Sequence, residues 1–129
     1  MNASSQTPTP LHEAPMTWHE KQVARERNEQ SYRVTCAFQG LPEAHVAVQA
    51  TESAVLVTAT GIDVLAEWLY VMRGTVTKVD LPSGQTVWTL RTKTWSDSEL
   101  FPVVPVFVSV VLPTCEPVMQ EIANAVRAA

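Results

Sequence analysis

The chain has 129 residues, of which 46% are hydrophobic and 17% charged, which fits one globular domain and lies outside the composition of a disordered protein. Nine Lys/Arg stand against thirteen Asp/Glu, a formal net charge of -4, which counts against a dedicated nucleic-acid binder because such proteins depend on counterion-releasing cations. Cys36 and Cys115 belong to no CxxC pair or His/Cys cluster, so the sequence implies neither a metal site nor a cofactor.

Residues 1 to 16 carry Pro8, Pro10 and Pro15 and no hydrophobic period, and they read as a flexible tail ahead of a single domain over residues 17 to 129. This start has neither the basic n-region nor the apolar h-region of a secretory signal, so reduced thiols in the cytoplasm are expected. Thr17 then opens T-x-x-E with Glu20, the spacing of a capping box, and predicts a helix from about Trp18 to Gln30. Its surface is charged, and Trp18, Val23 and Ala24 make no full apolar stripe, the pattern of a helix left in solvent or clamped by a partner.

Tyr32 to Phe38 is β-branched and aromatic, ends at Gly40 and Pro42, and reads as a strand. His45 to Ala50 and Ala54 to Thr60 flank Thr51-Glu52-Ser53 as a hairpin, so the three runs form an antiparallel meander. The period then changes from two to 3.6, with Ile62, Leu65, Leu69 and Met72 on one helix face. Thr60 and Asp63 are its candidate cap and Gly74 its stop.

Thr75 to Leu81 and Gln85 to Thr94 flank Pro82-Ser83-Gly84, which predicts a second hairpin pairing Val79 with Val87, Lys78 with Trp88, Thr77 with Thr89 and Val76 with Leu90. A polar loop, Trp95 to Glu99, leads to Val103 to Leu112, a strand apolar on both alternating sets and so expected to be covered on both faces. The apolar stretch from Leu100 to Leu112 is about a dozen residues long, against the roughly 20 that a membrane-spanning helix needs. Thr114-Cys115-Glu116-Pro117 then opens a last helix with Val118, Ile122 and Val126 facing inward. The fold predicted is α+β: a mainly antiparallel sheet of about six strands with two hairpins, two packing helices and a polar N-terminal helix.

Few residues suggest chemistry. Cys115, placed at a helix N-terminus, could be a reactive thiol with a depressed pKa, but Glu116 opposes a thiolate, and a small residue in a capping turn is the plainer reading. His12, His19 and His45 have neither metal-ligand nor triad spacing; His45 beside Glu43 is a candidate base or, more ordinarily, a hydrogen-bonded strand end. Asp63 and Glu67 share a helix face as a carboxylate pair or a merely solvated surface. Arg73, Lys78, Arg91 and Lys93, with Trp88 among them, make a basic hairpin that is either a nucleic-acid platform or a soluble edge.

Trp18 and Trp95 occupy polar surroundings, where an aromatic residue is a lid over the core or an interface anchor. Two helices comfortably cover one sheet face, which leaves Phe107 and Val111, or their alternates, as an uncovered patch; a homodimer is the expected cover, and the N-terminal helix with Trp18 and Val23 is the alternative within one chain. The function expected is a non-enzymatic binding or regulatory module that works as a homo-oligomer, with a further protein partner allowed. The alternatives are a nucleic-acid-associated regulator using the basic hairpin and a small enzyme using Cys115 or His45.

Overall fold

A computed structural model describes residues 15–96 and 103–126; most of the predicted tail, up to residue 14, and the second part of the polar loop, from residue 97, lie outside the described residues. The first helix, α1 (Trp18–Gln39), opens with the expected capping box: Thr17 Oγ1 accepts from the Glu20 amide at 3.1 Å, and Glu20 Oε1 accepts from the Thr17 amide at 2.9 Å. It does not stop at Gln30. Gly40, at φ 67°, caps it in the left-handed conformation and donates its N–H to the Cys36 carbonyl.

The strand predicted over Tyr32 to Phe38 is therefore the last part of α1. Ala24, Asn28, Ser31, Tyr32, Thr35 and Cys36 are buried at helical spacing, but half of that stripe is hydroxyl or amide, so no hydrophobic period marks it. Strand propensity then wins by default, because Thr, Val and Tyr favour pleated surfaces when tertiary packing is left out. Asn28 Nδ2 donates to the Thr51 carbonyl at 2.8 Å, and Thr35 Oγ1 donates to the Ser31 carbonyl at 2.9 Å and accepts from the Trp95 amide at 2.9 Å. These bonds fasten α1 to two distant turns.

Strands β1 (Val46–Ala50) and β2 (Val55–Ala59) form the first hairpin, with Thr51 closing its loop through Ala54. Helix α2 (Ile62–Met72) buries Val64, Leu65, Trp68 and Leu69. Its N-cap is Gly61 with no side-chain cap; Thr60, the expected cap, donates instead to the His45 carbonyl at 3.3 Å. At its other end Arg73 takes φ 63° and Gly74 φ 139°, and a Cβ on Gly74 would lie 2.3 Å from the Arg91 carbonyl oxygen. Glycine is demanded there by the approach of a strand as much as by the helix stop.

Strands β3 (Thr75–Asp80) and β4 (Gln85–Lys93) pair in the predicted register, Val76 with Leu90 through Val79 with Val87, and Leu81 N donates to Gln85 O at 2.7 Å across the turn. Strand β5 (Pro105–Pro113) completes a five-stranded mixed sheet in the order β1-β2-β5-β4-β3, in which only β2 and β5 run parallel. The last helix, α3 (Gln120–Ala125), is short and begins later than Pro117; Val126 leaves it to bridge Val76 on the edge strand β3. The chain is thus an α+β domain with one strand fewer than the approximate count, the missing strand being the end of α1.

The three helices of the described residues, α1 included, lie on one side of the sheet. Val55, Val57, Val76, Leu90, Val106, Val108 and Val110 are buried beneath them, and Tyr32 of α1 stacks on Trp68 of α2 with ring centroids 5.9 Å apart and planes 10° apart. Burying two such rings contributes roughly 4–6 kcal/mol each as an upper estimate. Trp68 Nε1 and Ser31 Oγ are buried there with no hydrogen-bond partner among the described residues, which takes back about 1–3 kcal/mol for each group. No helix among the described residues is long and apolar enough to cross a membrane.

Candidate functional site

Strand β5 is covered on one face and open on the other. Val104, Val106, Val108 and Val110 are buried, whereas Val103 and Val111 are exposed and Phe107 is half-buried, so within the single chain the strand is covered on one face alone. The register of the sheet turns the open face into three rows across the strands. Leu56, Phe107, Arg91 and Thr75 form the first; Thr58, Ser109, Thr89 and Thr77 the second; Val111, Val87 and Val79 the third. In the middle row Thr89 Oγ1 and Ser109 Oγ are 3.2 Å apart, so two hydroxyls satisfy each other between apolar neighbours. Leu56, Val79 and Val111 are 38%, 57% and 45% exposed, an apolar surface on the side of the sheet away from the core.

The basic hairpin does not gather its cations. Arg91 lies on the open face, its guanidinium 5.7 Å from the Phe107 ring centroid, and Lys93 follows on the same face beside Pro105. Lys78 falls on the helical side of the edge strand, its ammonium 5.6 Å from the centroid of the buried Trp88 ring. Arg73, at the end of α2, lines a groove on the helical side. Both ring contacts are cation–π arrangements that hold a long side chain over an aromatic face. The four cations thus belong to three surfaces.

That groove, of about 640 Å³, runs between α2 and α3. Ala66, Leu69, Tyr70, Met119 and Ala125 supply its apolar lining, and Asp63, Glu67, Glu121 and Arg73 supply its charge. Asp63 and Glu67 were visible in the sequence as a pair at i and i+4; Glu121 joins them only because α3 folds back on α2. Tyr70, 74% exposed, stands off the apolar stripe of α2 and carried no signal at all.

Cys115 sits exposed in the turn after β5, five residues before α3 begins, so the helix-terminus argument for a depressed thiol pKa does not apply. Cys36 is buried beside Tyr32, and burial pushes its thiol up to about 11, far from a nucleophile's range. Burial likewise raises the Tyr32 phenol, with Cys36 adding to it. His45 is exposed at φ 62° just before β1, its carbonyl engaged by Thr60. Trp18 is 74% exposed at the start of α1; Trp95 is half-buried and packs on Phe38, ring centroids 5.2 Å apart, as a cover over the end of α1. Among the described residues no group of three or more His, Cys, Asp and Glu is placed to hold a metal ion.

Comparison with known protein families, with functionally described proteins and with solved structures finds no match to this chain.

Proposed function

We propose that the chain is a non-enzymatic binding module, at home in the reducing cytoplasm, that works as a homodimer joined through the open face of its sheet. One observation carries the reading: every helix among the described residues packs on the same side, and the other side presents Leu56 and Phe107 in one row and Val87, Val111 and Val79 in another, on either side of a hydroxyl row. The five strands, at about 3.3 Å per residue and about 4.8 Å apart, present roughly 500 Å² in projection. A pleated face exposes more than its projection, which brings it into the range of the about 800 Å² per partner of a standard interface. A second copy offers the same rows, and a two-fold interface needs only self-complementarity. The free thiols of Cys36 and Cys115 support the reducing setting.

Light scattering at about 100 μM, roughly a hundredfold above a micromolar dissociation constant, tests the assembly. The dimer mass is expected for the wild type and the monomer mass for Phe107→Asp, whose new carboxylate stands opposite Arg91 and can pair with it within the monomer. A wild type that stays monomeric ends the proposal. Sub-micromolar, salt-dependent RNA or DNA binding lost on neutralising Arg91 and Lys93 would replace it with the nucleic-acid reading.

A further inference from the structure

The groove between α2 and α3 lies on the helical side of the molecule, away from the open sheet face. Its apolar floor includes Leu69 and Ala66, with Tyr70 and Met119 exposed by 74% and 39% beside it. Around that floor, among the described residues, stand three carboxylates, Asp63, Glu67 and Glu121, and the guanidinium of Arg73. Among the described residues none of the three takes part in an ion pair, since the ion-paired carboxylates are Glu29, Glu43 and Glu52. Left empty, the groove is doubly unfavourable: apolar side chains meet water, and Asp63 and Glu67, one turn apart on α2, repel each other.

An occupant that lays an apolar stripe on the floor and sets cations against the rim relieves both terms. We propose that this groove docks a basic amphipathic helix from a partner protein, with leucine-like residues on one face and Lys or Arg along its flanks. Helix α2 has 11 residues, about 16 Å at 1.5 Å per residue, so the docked segment is about three turns long. The chain's own leading segment does not suit the site: residues 1 to 14 include Glu13 and no Lys or Arg, so its charge has the wrong sign. The proposal names the partner of the binding module and is independent of its dimerisation.

The test uses two synthetic 12-residue helical peptides, one with leucine on the apolar stripe and lysine elsewhere, the other with glutamate in place of lysine. Titration calorimetry against the full chain is expected to give micromolar binding of the lysine peptide and none of the glutamate peptide. The doubly substituted Glu67→Lys, Glu121→Lys chain should lose at least tenfold in affinity; both positions are exposed, so circular dichroism should stay that of the wild type. Ala66→Trp, which fills the floor without changing charge, should lose binding as well.

Phe107→Asp, on the opposite face, should leave binding unchanged whether or not it abolishes the dimer, so the two proposals fail separately. The open face carries Arg91 and Lys93, and an occupant seated there would favour the glutamate peptide. Equal affinity for the two peptides, unchanged affinity in the charge-reversed chain, or no binding of the lysine peptide at 100 μM overturns the proposal.

Discussion

Two residues illustrate how single positions constrain the molecule. Gly74 combines φ 139° with a backbone carbonyl, that of Arg91, where a side chain would begin. Gly74→Ala is expected to cost on the order of 1–3 kcal/mol, read as a lower urea midpoint, and an unchanged midpoint would show that β3 and β4 can separate freely at that point. Cys36 is the second. Its folded pKa, pushed up to about 11 from an ordinary value near 9, means that the unfolded chain releases the thiol proton first as pH rises. The contribution is complete below pH 9 and is lost as pH climbs through 11, and the raised Tyr32 phenol acts in the same sense from its own ordinary value of 10 upward. Urea midpoints should therefore fall across that window, and Cys36→Ala should delay the onset; a flat profile to pH 10.5 would mean that the thiol is not desolvated.

Among the elements, α1 separates what the residue pattern discloses from what it hides. Its capped start was legible because T-x-x-E is a local device, and the β3–β4 pairing was legible because Pro82-Ser83-Gly84 fixes the turn and alternation fixes the faces. Its second half was not, because Asn28 and Thr35 are buried through bonds to residues remote in sequence, Thr51 and Trp95, and Ser31 is buried between them. Likewise, the alternation in β5 announced two apolar sets but not which of them the helices would cover, and the groove needed α3 to bring Glu121 across to Asp63 and Glu67. Thr35→Val tests the hidden half. It keeps the shape of the side chain but strands the Trp95 amide, and it should cost about 1–3 kcal/mol with a change in tryptophan emission as the Phe38–Trp95 contact loosens. Unaltered stability and emission would indicate that the hydroxyl bridge does not hold α1 in place.

At the scale of the whole molecule, the charge on the open face sets the orientation of the proposed dimer. Arg91 and Lys93 lie toward one end of the strands, and Val79, Val87 and Val111 lie toward the other. A two-fold axis along the strands would stack the cations of one copy on those of the next. An axis across the strands, passing near the Thr89 and Ser109 row, instead sets the valine end of each copy against the Arg91 end of its partner. Like charges brought together across an interface are costly, so the second arrangement is the one expected. A charge placed at Val111 then faces the partner's cations, which makes its sign the decisive variable. Val111→Lys should dissociate the dimer, and Val111→Glu should retain it and hold it more tightly as salt is lowered. Melting scans supply a second measure, because unfolding coupled to dissociation makes the midpoint rise with protein concentration, by about 1.4 kcal/mol of apparent stability per tenfold step. That dependence should persist in Val111→Glu and vanish in Val111→Lys; the same response to both charges would rule out the crossed orientation.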